Sequence, residues 1–162
     1  MRKLLVVVAF LSLIVGPMTM SQEKPGHGDE AKHVMVRADE VKWGPGPPAL
    51  PSGVEMAVLT GNPMKAGPYV ARAKMPDGYR VPPHRHPCDE NITVLKGTLL
   101  IGTGEKFDPS KAEELSVGSF MRMPKNMRHF AMAKGETIIQ LHGVEPFEIT
   151  YVNAADDPRK KN

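Results

Sequence analysis

The sequence has a single cysteine, Cys88, among its 162 residues. One thiol excludes an intramolecular disulfide framework, and it equally excludes a zinc site built from four cysteines. If the chain is exported, its stability therefore depends on a hydrophobic core. Cys88 falls in a predicted loop, where an inert thiol is the expectation and a redox, ligand or intermolecular role is the alternative.

The chain also carries little net positive charge. Two of the 21 Lys and Arg residues, Arg2 and Lys3, lie in the first 21 residues, which contain no acidic residue, so the remainder has 19 basic against 18 acidic residues. Beyond that segment, the longest basic block is the Arg-Lys-Lys of residues 159–161. A nearly neutral chain offers no field to collect phosphates. We predict no nucleic acid partner and expect a small-molecule ligand.

No apolar run is long enough to cross a bilayer comfortably. Residues 4–15 are uncharged and mostly apolar, follow two basic residues, and end at a Gly-Pro pair. Small residues at Thr19 and Ser21 suit cleavage before Gln22, so residues 1–21 are predicted to be a cleaved secretory signal peptide, with an uncleaved anchor as the alternative. Because no cysteine lies near the predicted cleavage point to carry a lipid, a periplasmic or secreted protein without stable membrane insertion is expected.

The abundance of helix-breaking residues favours strands. Sixteen prolines and 15 glycines disfavour a helical bundle, because proline lacks a backbone donor and glycine is costly to order. Short β-type segments separated by turn residues instead predict an all-β antiparallel sandwich or barrel. The predicted strands are 34–37, 41–43, 55–60, 69–75, 92–96, 98–102, 119–123, 129–133, 137–142 and 147–152, with a hairpin at Lys96-Gly97.

The remaining segments complete the predicted organisation. Residues 22–53 form a flexible leader and a proline-rich arm, which is expected to pack across the barrel with the lone Trp43 as its anchor. The barrel extends over 54–152 and includes one short helix at 108–115, and residues 153–162 form a polar tail.

One segment carries candidate metal ligands. His84 and His86 are two residues apart, so in an extended chain both imidazoles point to the same face. Glu90 follows a turn and can approach the same point if it opens the next strand. His129 begins another short strand and supplies a third imidazole. Neutral imidazoles with a carboxylate suit a divalent first-row metal, and an octahedral ion bound by four ligands keeps up to two positions open.

The spacing of these residues resembles the two motifs of the cupin superfamily. The first motif is matched completely by Gly78, His84, His86, Glu90 and Gly97. The second is matched at Gly118, Pro124 and His129, with Asn126 in place of a glycine and Ala133 in place of a final asparagine. Asparagine readily follows glycine into a left-handed turn, and the final asparagine is not a ligand in the family.

The resemblance implies a cupin-type jelly roll in which His84, His86, Glu90 and His129 bind one divalent transition metal. Similar ligand sets in the family hold iron, manganese, nickel, copper, cobalt or zinc, so the sequence does not select among them. The alternative is that the same four side chains only hydrogen-bond to one another inside the barrel, although burying them without an ion costs desolvation free energy.

Two functions are compatible with this site. The first is a metal-dependent oxidoreductase of the dioxygenase kind acting on a small molecule, with isomerase, decarboxylase or lyase chemistry also open. The second is a non-catalytic module that binds a small molecule through its metal. No separate acid, base or nucleophile is identified, and Gln140 faces either the barrel interior or solvent. The resemblance also suggests a homodimer.

Overall fold

The computed structural model describes residues 33–144 and 146–160. The predicted signal peptide and the leader up to residue 32 lie outside the described residues. No helical segment in the described part has the length and apolar character needed to cross a membrane. The strands are β1 Gly44–Pro45, β2 Glu55–Thr60, β3 Tyr69–Met75, β4 Arg80–Arg85, β5 Glu90–Thr103, β6 Glu113–Leu115, β7 Phe120–Met123, β8 His129–Gly143 and β9 Thr150–Tyr151.

Strand β8 organises the sheet. One edge of β8 pairs with β5 along most of its length, and its other edge pairs with β3 and then with β4. Six strands follow the order β1-β2-β3-β8-β4-β9, and β5 branches from this order at β8 and also pairs with β6 and β7. Every pairing is antiparallel. The sheet curls because the two long strands, β5 and β8, each pair with three other strands. The all-β antiparallel prediction is therefore confirmed.

Alternation along the strands separates an inner face from an outer face. In β3 the side chains of Tyr69, Ala71, Ala73 and Met75 are buried, and the residues between them point to the other face. Strand β8 repeats this pattern, with Ile139 and Leu141 in the hydrophobic core. Each strand thus contributes every second side chain to the interior, as the period of two requires.

Two predicted pairs of short strands are single long strands. The hairpin expected at Lys96-Gly97 is wrong, because β5 continues from Glu90 to Thr103 and only shifts its register against β8 around these residues. Gly97 has φ +71°, and a Cβ there would collide with the carbonyl of Glu136 on β8. The glycine therefore marks a bend within a strand rather than a reversal of the chain. Similarly, 129–133 and 137–142 belong to one strand, β8.

The predicted helix at 108–115 is also wrong. Only Pro109–Lys111 forms a single 3-10 turn, which Asp108 caps by accepting from the Ser110 amide at 3.2 Å. The following residues form β6, which pairs with Leu99–Ile101 of β5. Ladder hydrogen bonds to β5 satisfy this backbone better than continuation of a short helix exposed to water.

Strand β4 was not among the predicted strands, because Pro82 and Pro83 lie in its middle. The structure accommodates them at an irregularity: β4 pairs with β8 at Val81 and again at His84, and the register shifts between these positions. Prolines are tolerated in strands at such places, where no ladder amide is required.

The N-terminal part of the described chain differs from the prediction as well. Residues 34–37 and 41–43 are not strands, and the structure has a 3-10 turn at Ala38–Glu40 and the two-residue β1 instead. Tyr79 Oη donates to the Pro51 carbonyl at 2.7 Å, and Tyr151 Oη donates to the Ala49 carbonyl at 2.8 Å. These two hydroxyls hold the proline-rich arm. Trp43 is only partly buried and lies beneath the Lys74 ammonium, 4.9 Å from its ring centroid.

Candidate metal centre

The start of β8 brings His129 next to three polar side chains from the end of β4, the turn that follows it and the start of β5. His84 lies near the end of β4 and is paired with His129, the first residue of β8. His86 follows two residues after His84 and turns the same way, while Arg85 between them is exposed. Glu90 is the first residue of β5. All four are at most 6% exposed. We refer to His84, His86, Glu90 and His129 as the four-residue cluster.

The turn before His129 is fixed by its neighbours. Asn126 adopts φ +63°, the left-handed conformation expected at this position, and its amide donates to the His86 carbonyl at 2.8 Å. The Asp89 carboxylate accepts from the Lys125 amide at 2.9 Å and also pairs with Arg122. The turn is thereby tied to the segment that carries His86, so the approach of His129 to the other two imidazoles does not depend on a loose loop.

The backbone orients each imidazole of the cluster. Nδ1 of His84 lies 2.7 Å from the Pro82 carbonyl, Nδ1 of His86 lies 2.6 Å from the Glu148 carbonyl, and Nδ1 of His129 lies 3.0 Å from the Met127 carbonyl. A carbonyl only accepts, so each Nδ1 carries the hydrogen. In the neutral ring each Nε2 then holds a lone pair. This is the support that metal-binding histidines usually have.

The potential ligand atoms converge. One ring nitrogen from each of the three histidines lies within 4.8 Å of those of the other two. The Glu90 carboxylate joins them, with Oε2 at 3.0 Å from His129 Nε2 and Oε1 at 3.7 Å from His86 Nε2. His86 also stacks on Phe147, with ring centroids 4.1 Å apart. The predicted four residues are therefore adjacent in space.

Two polar atoms of the cluster are buried without a hydrogen-bond partner, His86 Nε2 and Glu90 Oε2. His129 can donate to Glu90 across the 3.0 Å between them only when it carries a second proton, on Nε2; when His129 is neutral with its hydrogen on Nδ1, this approach places two acceptors together. Buried unsatisfied acceptors are costly. A divalent cation would satisfy all of them at once, and imidazole nitrogen with carboxylate oxygen is a donor set that first-row metals accept. The residues present thus fit a metal ion.

Burial and the mutual interactions of the four residues shift the pKa of each of them. Burial and the neighbouring histidines lower the pKa of His84 to about 3, and burial also lowers the pKa of His86. Burial acts to lower the pKa of His129, but the adjacent Glu90 carboxylate outweighs it and raises that pKa. Burial acts to raise the pKa of Glu90, and the histidines outweigh it, so that pKa is lowered. Glu90 is consequently ionised, and His84 and His86 are neutral near pH 7.

A cavity of about 400 Å³ opens onto the four-residue cluster. We call it the chamber. Its remaining walls come mainly from apolar side chains of β2, β3, β4, β5 and β8, and Pro47, Ala49 and Leu50 of the proline-rich arm form part of its mouth. A mostly apolar, pre-formed cavity with a few convergent polar groups is the usual form of a small-molecule site.

Other residues singled out in the sequence lie away from the chamber. Gln140 is on the outer face of β8, where it accepts from Arg72 Nε at 3.2 Å, so it cannot hold a ligand inside the barrel. His142 shares that face and lies beside Phe120. Cys88 is buried, and its Sγ lies 3.6 Å from the Pro146 carbonyl.

Sequence reasoning missed two residues that border the chamber. Phe147 stacks on His86, and Arg159 lies at the mouth, paired with Asp157. Phe147 is 61 residues after His86, and Arg159 belongs to the segment expected to be a plain polar tail. The tertiary fold brings both residues to the chamber, and no local sequence pattern predicts either of them.

Comparisons with solved structures show the same fold. A candidate acetylacetone dioxygenase from Methylibium petroleiphilum is similar with a TM-score of 0.60 and 20% identity, over 81% of this chain and 88% of that one. The polyketide cyclase RemF from Streptomyces resistomycificus gives 0.59 and 17%, over 80% and 92%. KdgF from Halomonas sp. gives 0.54 and 20%, over 70% and 96%. At these identities the likeness concerns the fold.

No curated protein matches the chain significantly in sequence. The family model of the ChrR cupin-like domain, however, matches residues 31–148, which is most of the chain and contains the whole four-residue cluster. The cupin resemblance seen in the two motifs is thus supported independently by the fold and by the family match. The chain belongs to the ChrR cupin-like domain family.

Proposed function

We propose that this protein is an exported cupin that binds one divalent transition metal and acts on a small molecule as a metal-dependent oxidoreductase of the dioxygenase kind. One observation carries the proposal: three buried imidazoles, each held by a backbone carbonyl at Nδ1, bring one ring nitrogen apiece to within 4.8 Å of one another, and the Glu90 carboxylate lies beside two of them. The similarity in fold to a candidate acetylacetone dioxygenase is compatible with this reaction class.

The chain's own residues have separate roles in this proposal. The three histidines provide neutral nitrogen ligands, and Glu90 provides one negative charge, so a bound divalent ion keeps a net charge of +1. When bound, the metal supplies a Lewis acid or redox centre beside the chamber. The apolar walls exclude water and position the substrate against that centre, which strengthens every electrostatic interaction there.

Elemental analysis of the mature protein, purified without chelator, tests the metal. The expected result is about one iron, manganese, nickel or copper ion per chain, together with dioxygen uptake against a panel of phenolic, keto-acid and thiol compounds. Stoichiometric zinc without turnover would favour a non-catalytic binding module. Absence of any metal would contradict the metal centre and leave a buried polar cluster.

The proposal includes export and self-association. Export depends on residues 1–21, and the division into a leader and arm at 22–53, a barrel at 54–152 and a tail at 153–162 accompanies it. Mass spectrometry of the exported protein should give a mature chain beginning at Gln22. Gel filtration should give the mass of two chains, and elution as one chain would contradict the homodimer.

A further inference from the structure

The chamber walls carry information about the ligand beyond the metal centre. Away from the four-residue cluster, most of the side chains that line the cavity are hydrocarbon or thioether groups, and five strands contribute them. Representative members are Met56, Met75, Val81, Ile92, Ile139 and Leu141. Apolar walls on several sides leave a polar ligand without partners for its hydrogen bonds, and each unpaired group costs free energy.

Two of the three polar side chains that border these walls outside the cluster are engaged by other groups of the protein. The Tyr79 hydroxyl faces the arm, and it donates to the Pro51 carbonyl. At the mouth, Arg159 is engaged by Asp157 through two hydrogen bonds of 2.8 Å, and Glu148 is exposed to solvent. Within the described lining, no other charged side chain lies outside the cluster. The apolar walls between the cluster and the mouth therefore offer a sugar or an amino acid no set of hydrogen-bond partners.

The cluster end has the opposite character. A divalent ion held there by three neutral imidazoles and one carboxylate leaves a net charge of +1 in a buried site, which attracts one anionic oxygen donor. The cavity of about 400 Å³ has room for roughly a dozen water molecules, so the rest of the ligand is small.

We infer that the ligand is a small monoanion with a hydrocarbon body, whose single oxygen-bearing head, such as a carboxylate, lies at the metal and whose body fills the apolar chamber. The inference rests on the proposed function for the head and on the walls alone for the body. It excludes sugars and other compounds with several hydroxyl groups as ligands of this site.

Isothermal titration calorimetry with straight-chain carboxylates from butanoate to decanoate tests this inference. Metal-loaded protein should bind each acid about fourfold more tightly than the one shorter by one methylene, until the chamber is full and the affinity stops rising. 8-Hydroxyoctanoate, which has the same carboxylate head and one hydroxyl at the far end of its body, should bind more weakly than octanoate, because the apolar walls leave that hydroxyl unpaired.

Substitutions in the chamber wall test whether the hydrocarbon body of the acid binds there. Ala131→Leu adds three carbons to the wall, so the chain length at which the affinity stops rising should become shorter. Met56→Ala enlarges the chamber and should make that chain length longer. Ile138→Ala, on the outer face of β8, is the matched control and should leave that chain length unchanged. Opposite shifts from two variants keep the test informative if one of them fails to fold.

The outcomes separate the two proposals. Two results, obtained with protein that holds its metal, would overturn the inference and leave the metal centre in place. One is an affinity that does not depend on the chain length of the acid. The other is a limiting chain length that stays unchanged in both chamber variants. Conversely, protein that never takes up metal would overturn the proposed function and the head assignment, even if the chain-length dependence is found.

Discussion

Glu90 Oε2 lies 3.0 Å from His129 Nε2, and both atoms are buried at the inner end of the chamber. The carboxylate raises the pKa of His129, and the imidazole helps to lower the pKa of Glu90. Without a metal, the pair is stabilised when His129 takes up a proton at Nε2. A metal ion that uses the same lone pair has to displace that proton, so metal binding and protonation compete at His129.

Proton release should report this competition. At pH 6 three ordinary histidines would together give up about two protons on binding a metal. Here His84, with a pKa of about 3, is already neutral, His86 has a lowered pKa, and His129 has a raised one. Calorimetric titration with Zn²⁺ in two buffers of different ionisation enthalpy should give fewer than two protons per metal. Release of two or more would contradict the assigned pKa directions.

Removal of a ligand histidine should abolish most metal binding. His84→Ala and His129→Ala each delete one inward lone pair, and their effect on metal affinity should exceed the about 10–100-fold loss typical of removing a supporting hydrogen bond. His142→Ala is the matched control, because His142 lies on the outer face beside Phe120. Equal metal content in all three variants, measured by elemental analysis, would refute the site.

The turn before His129 should tolerate glycine but not alanine. Asn126 has φ +63°, a conformation that costs an alanine roughly 1 kcal/mol and costs glycine little. Asn126→Ala should therefore lower the free energy of unfolding by about 1 kcal/mol. Asn126→Gly should leave it nearly unchanged. Chemical denaturation of the two variants measures both, and an equal loss would show that the asparagine side chain matters more than its backbone.

The hydroxyl of Tyr151 should contribute to arm docking. Tyr151→Phe keeps the ring and removes the 2.8 Å hydrogen bond to the Ala49 carbonyl, so it should cost about 1 kcal/mol of stability. It should also speed proteolysis within residues 46–51. Tyr69→Phe is a matched control, since within the described residues the Tyr69 hydroxyl makes no hydrogen bond, and it should change neither quantity. Unaltered proteolysis in Tyr151→Phe would contradict a role in holding the arm.

The cluster was largely predictable from the sequence, whereas the strand boundaries around it were less so. Two imidazoles at i and i+2 share a face in any extended chain, so their local pairing follows from backbone geometry. Gly97 and Pro82 made the strand boundaries hard to predict. A glycine bend and a proline bulge inside a strand have the same local sequence as a turn and a strand end. Their meaning depends on the pairing of β4 and β5 with β8, which comes from distant residues.

The sequence by itself determined the all-β class and the identity of the four clustered residues, since period-two alternation and motif spacing are local properties. Tertiary structure alone decided that Gln140 faces outward, that Phe147 stacks on His86, and that the arm, held by two tyrosine hydroxyls, borders the chamber. These relationships depend on strand register and sheet curvature. A shift of one residue in register would exchange the inner and outer faces of a strand, and only long-range packing fixes it.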